Sequence, residues 1–116
     1  MKTFLSEGKS LTYTAPAGGV VAGTGVKIGD ILVIAETTAA VGEKFVGKRT
    51  GIVEHAKTSA QAWTEGQQVN WDNTLKLFTT GTTGFFKAGV AAEAAANPSA
   101  TGKVVLHGGN LGAALT

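Results

Sequence analysis

Gly42-Glu43-Lys44-Phe45-Val46-Gly47-Lys48-Arg49 is the stretch of this chain that comes nearest to a chemical motif. Its glycines and lysine have the spacing of a phosphate-binding loop, whose backbone N–H groups cradle phosphates and whose final Ser or Thr hydroxyl holds Mg²⁺. Arg49 stands where that hydroxyl belongs, and Thr50-Gly51-Ile52-Val53 continues as turn and strand rather than as the helix such a loop must open. Gly8-Lys9-Ser10 has the terminal triplet, but Thr3 occupies the position of the first glycine. Gly23-Thr24-Gly25 is followed by Ile28 where a dinucleotide fingerprint requires glycine. His55 and His107 have no partner at metal-ligand spacing, Ser10, Ser59 and Ser99 lack a nucleophile elbow, and the carboxylates form no placed acid/base pair. The residues give no support for catalysis, so we expect neither an enzyme nor a cofactor.

The elements that would have to position any such group are extended. The most informative stretch is Trp63-Thr64-Glu65-Gly66 with Val69-Asn70-Trp71-Asp72-Asn73-Thr74-Leu75-Lys76-Leu77. Val69 and Trp71 alternate with polar Gln68 and Asn70, and Leu75 and Leu77 with Thr74 and Lys76, which predicts two arms with one apolar and one wet face each. Asp72-Asn73 supplies the turn, because short polar side chains bond nearby backbone groups and tolerate left-handed backbone. Ser10-Leu11-Thr12-Tyr13-Thr14-Ala15 alternates in the same way, with Leu11 and Tyr13 inward, before Pro16 closes it. The continuous apolar run Ile31-Leu32-Val33-Ile34-Ala35 predicts a strand covered on both faces. Residues 42–50 read as a charged strand with one apolar side, 51–56 and 102–106 as further strands, and 57–62 as a loop. Ala91-Ala92-Glu93-Ala94-Ala95-Ala96 is rich in helix formers, yet Gly89 before it and Asn97-Pro98 after it leave no room for a stable helix. We expect a strand running into a loop there, with a short helix as the alternative.

Strands at intervals of roughly ten residues, separated by glycine turns, predict an all-β fold: a small single-domain β-sandwich or barrel spanning 1–116. An N-terminal arm (1–9) and a flexible Gly-rich tail (108–116) flank it. At 116 residues one core is feasible without staples, and with no cysteine there is neither a disulfide framework nor a thiolate nucleophile. No stretch approaches the roughly 20 apolar residues of a membrane span, and the polar start lacks a signal-peptide pattern, which leads us to expect a soluble, unexported protein without a membrane partner.

Ten Lys and Arg against eight Asp and Glu leave a net charge of +2, scattered except for Lys44, Lys48 and Arg49. Nucleic acid is therefore an unlikely partner, although that cluster with Trp63 and Trp71 defines the alternative reading: a single-stranded nucleic-acid binding module. Trp71 in phase with Val69 favours packing over base stacking. Phe4 and Leu5 lie outside the first strand beside a polar terminus, where they would either pack on their own domain or dock on a neighbour.

Taken in order, Phe4 ahead of Gly8, Leu11-Thr12-Tyr13-Thr14-Ala15-Pro16-Ala17, Gly25-Val26, Gly51-Ile52-Val53-Glu54, Ala62-Trp63-Thr64-Glu65-Gly66 with Val69-Asn70-Trp71-Asp72, Lys87-Ala88-Gly89-Val90-Ala91 and Gly102-Lys103-Val104-Val105-Leu106 resemble one family. It is that of the phage capsid cement or decoration proteins, some of which carry the label RecA-like recombinase; the failed phosphate loops count against that label here, and under it the alternative reading becomes a single-stranded nucleic-acid binding module of a phage recombination system. The resemblance implies a homo-oligomer, trimer favoured over dimer, that resides on the virion's capsid exterior, and in the host cytoplasm before assembly. There it binds the major capsid protein and stabilises contacts between its subunits. The candidate interface is the arm: Met1, Lys2, Thr3, Phe4, Leu5 and Ser6.

Overall fold

The structure, a computed structural model, describes residues 8–116. Among the described residues nine strands follow one another: β1 (Ser10–Thr14), β2 (Gly25–Ile28), β3 (Ile31–Ala35), β4 (Lys44–Lys48), β5 (Gly51–Ala56), β6 (Gln68–Asp72), β7 (Leu77–Thr79), β8 (Phe86–Ala91) and β9 (Thr101–Leu106). They form a four-stranded sheet, order β1-β4-β3-β2, and a five-stranded sheet, order β5-β9-β8-β6-β7. Every strand pair within them is antiparallel. The described residues contain no helix, so the fold is all-β as expected. The five-stranded sheet also curls until its outermost strands meet: Lys57 and Phe78 form a parallel bridge, and Thr58 N–H donates to Phe78 O at 2.9 Å. Its end is thus closed like a small barrel, while the first sheet packs against it as the second layer of a sandwich.

β3 shows how the layers form. Leu32 and Ile34 point into the large cluster with Trp63, Val69, Trp71, Phe78 and Val104, whereas Val33 and Ala35 join Val20, Val26, Ala39 and Phe45 on the opposite face of the sheet. Successive side chains of a strand alternate faces, so an unbroken apolar run is what a doubly covered strand requires. Close packing of the indole rings depends on missing side chains. A Cβ at Gly25 on β2 would sit 2.5 Å from the Trp71 indole, and one at Gly102 on β9 would strike the Trp63 ring. Both glycines are seats for tryptophans.

The structure corrects two local expectations. The second arm of the hairpin is β7, beginning at Leu77; Thr74 and Leu75 belong to a longer turn, and Leu75 is exposed. Asp72 Oδ1 accepts the N–H groups of Thr74 (2.9 Å) and Leu75 (3.0 Å), and Lys76 takes a left-handed φ of 58°, so the polar turn captures residues whose alternation imitates a strand. Second, β6 is wet only at Gln68. Asn70 and Asp72 are buried along with Val69 and Trp71, and the pairing with β8 shifts register between Val69 and Asn70. Asn70 is satisfied there by donating to Gly81 O at 2.7 Å and accepting from Gln68 Nε2 at 3.0 Å.

The Ala-rich segment is strand through Ala91, then bends, and returns to pair Ala95 with Trp63. It is not helical. In the C-terminal segment Leu111 is buried in the large cluster and donates its N–H to Asp30 O at 2.7 Å; Leu115 N–H donates to Phe85 O at 2.8 Å.

Candidate functional surfaces

Among the described residues, the stretches nearest to chemical motifs serve strand pairing and packing. Gly42–Arg49 is a tight turn followed by β4, so its amides serve sheet pairing rather than converging on a phosphate. Lys44 Nζ donates to Thr14 Oγ1 at 2.8 Å, and Arg49 uses its guanidinium on the carbonyls of Gly8 and Gly108. The basic cluster is thereby divided, with Arg49 holding the chain ends of two elements together. Trp63 and Trp71 are 2% and 0% exposed, which removes them as stacking platforms for bases and bears out core packing.

His55, at the end of β5, is buried between Trp71 and Phe78, its ring centroid 5.4 and 5.2 Å from theirs in edge-on contacts. Gly25 N–H donates to Nε2 at 3.0 Å, so Nε2 carries no proton and Nδ1–H donates to Ala56 O at 3.1 Å. The neutral imidazole is a polar rivet between the two sheets. His107 is exposed, its Nε2 3.0 Å from Lys87 O and its Nδ1 accepting from Gly109 N–H. Among the described residues no three His, Cys, Asp or Glu side chains gather where they could hold a metal.

One buried charge escaped the sequence reading. Lys57, placed in a loop, is 3% exposed. Its ammonium donates to the carbonyls of Thr58 (2.9 Å), Gln61 and Ser99 and lies 5.4 Å from the centroid of the Trp63 ring. Burial lowers its pKa from the ordinary lysine value. Three carbonyls aimed at one cation brace the junction where the barrel closes.

What remains as functional material is surface. The large apolar side chains left exposed among the described residues are Val21, Val41, Ile52, Leu75 and Val90. Val21 lines a shallow, mainly apolar groove of about 160 Å³, together with Pro16, Val20, Val26 and Lys76. Gly19 and Lys76 also line that groove; the backbone of Val41 lies beside Gly19, and Leu75 is the chain neighbour of Lys76. Ile52 and Val90 belong to a separate patch on the outer face of the five-stranded sheet. Sequence did carry a signal for the latter: Ile52-Val53 and Val104-Val105 are adjacent apolar pairs, and neighbours on a strand cannot both face one core. The expected interface, Met1 to Ser6, lies outside the described residues.

Buried aromatic rings, mostly internally bonded polar groups and exposed apolar side chains describe a β-scaffold with apolar surface patches. The family model for phage cement proteins matches residues 5–106, most of the chain, and the chain belongs to that family. It accordingly has a structural role in the phage capsid, associated with capsid proteins in the virion. Neither a curated protein nor a solved structure matches it.

Proposed function

We propose that this protein binds the outer surface of an icosahedral phage head and reinforces the contacts between major capsid subunits, after accumulating in the host cytoplasm. The observation that carries the reading is the mainly apolar groove lined by Pro16, Val20, Val21 and Val26, with Val21 itself exposed. Exposed apolar side chains gathered around a concavity mark an interaction site, and loops held by a rigid sheet can present them without losing order on binding. A shell repeats the same receptor surface many times, so a homo-oligomer multiplies modest contacts through effective concentration. Resemblance favours a trimer over a dimer. The arm Met1 to Ser6 is a second candidate contact, proposed on the resemblance and on Phe4 and Leu5.

The test compares purified capsids with and without bound protein under heating and osmotic shock. Decorated capsids should retain their DNA under conditions that empty bare ones. Val21→Asp, at a residue 62% exposed, should leave folding intact and reduce retention on capsids. Identical survival of bare and decorated capsids would refute the proposal.

A further inference from the structure

The outer face of the five-stranded sheet carries an apolar row that crosses three strands in register. Ile52 on β5 stands opposite Val105 on β9, and Val105 stands opposite Val90 on β8. Directly opposed residues on one sheet face touch, so these side chains form one continuous patch. Ile52 is 66% and Val90 39% exposed, with Val105 half-buried between them. Nothing in the barrel interior needs them, because Val104 and Leu106 already fill it from the other face of β9.

The two flanks of the row differ in charge. On one side lie Glu54, opposite Lys103, and Glu93, whose carboxylate is 3.3 Å from the Lys103 ammonium; together they leave an excess negative charge. On the other lie Lys87 and His107, joined through the Lys87 carbonyl and both exposed. A two-fold axis laid along the row stacks the patch on a second copy of itself. Apolar side chains then meet apolar side chains, and because the rotation exchanges the flanks, Lys87 of one copy faces Glu93 of the other. A surface that is apolar along the axis and opposite in charge across it is complementary to itself.

We infer that this face, centred on Ile52, Val105 and Val90, is where two copies of the chain associate. The inference sets the association at this face at two-fold, where the resemblance favours a trimer, and the mass of the oligomer decides between the two. It does not depend on capsid binding, which uses the groove at another part of the scaffold.

Light scattering coupled to gel filtration, with sedimentation equilibrium, tests it on the full chain at roughly 100 μM, where even a small interface is populated. The expected mass is twice the 11.7 kDa of the chain. Ile52→Lys, at an exposed position, should raise the dissociation constant about tenfold or more with an unchanged circular dichroism spectrum. Lys87→Glu should weaken association several-fold, and adding Glu93→Lys should recover part of the loss, as a double-mutant cycle for a cross-interface pair requires. A monomer at that concentration, a trimer, or an oligomer indifferent to Ile52→Lys would overturn the inference. So would Ile52→Lys abolishing capsid retention while self-association persists, since the face would then belong to the shell. Loss of capsid protection with the dimer intact would strike the proposed function and leave this inference standing.

Discussion

The two faces of the first sheet are buried by different means, and their side chains differ accordingly. Toward the second sheet, the covering surface consists of strands with fixed spacing, and the interior is aromatic: Trp71 and Phe78 meet edge-on with centroids 5.0 Å apart, and His55 completes the set. Glycines at 25 and 102 make room for the indoles. On the opposite face the covering material is loop, held by the isolated bridge between Val20 and Ala39, and the fully buried residues are mostly small: Ala15, Val20, Val26, Val33, Ala35 and Ala39 around Phe45, with Tyr13, Ile28 and Ile31 packed half-buried against them. Large rigid rings demand a matching wall on every side, which two sheets supply and loops do not. Loops can settle onto small aliphatic residues, so that face tolerates less order. The contrast implies that stability is concentrated between the sheets, while the loop-covered side presents the groove.

The sharpest way to break that contrast is Trp71→Ala, which removes a fully buried ring touching both layers. It should cost about 3–5 kcal/mol in urea denaturation. A near-neutral result would mean that the inter-sheet core does not dominate. Lys57→Met comes next, at about 3 kcal/mol, because it strands the carbonyls of Thr58, Gln61 and Ser99 in a buried junction. Its pH dependence sharpens the point. Since burial lowers the lysine's native pKa below the ordinary 10.5, the unfolded state holds the extra proton in the window between the two values. Wild-type stability relative to Lys57→Met should therefore rise with pH across that window and be flat below it. Parallel pH profiles for the two proteins would show that Lys57 is not desolvated. The smallest effect should come from the loop-covered face: Val33→Ala, though fully buried, should cost about 2 kcal/mol, as loops collapse into part of the space. A loss equal to that of Trp71→Ala would erase the difference between the faces.

Trp63 adds a complication to the aromatic side. Its indole N–H is buried without a hydrogen-bond partner among the described residues, whereas Trp71 Nε1–H donates to Asn73 Oδ1 at 3.1 Å. The two tryptophans are equally buried but differently satisfied. The Trp63 ring, packed on Gly102 and beside the Lys57 ammonium, offsets that cost through apolar contact and a cation–π approach.

Much of the strand pattern was legible in the chain because alternation is a local property. Ile31 to Ala35 announced a doubly covered strand by having no polar member, and Gly89 with Asn97-Pro98 excluded a helix at the alanines despite their propensity. Turn chemistry near Asp72 was visible too, but its length was not, because Leu75 kept strand phase while sitting in the turn. For the surfaces the position was harder. Valine at 21 and valine at 26 look alike in one dimension; one is exposed and the other buried only because distant elements cover the second.

By itself, then, the order of residues determined an all-β chain with no chemical motif in working form, since periodicity and spacing need no partner to be read. Tertiary structure alone decided that Asn70 and Lys57 go inside, that His55 links two sheets, and that Ile52, Val105 and Val90 align. Each of those outcomes depends on strands far apart in sequence meeting in one register, and a side chain's surroundings are set by that meeting rather than by its neighbours along the chain.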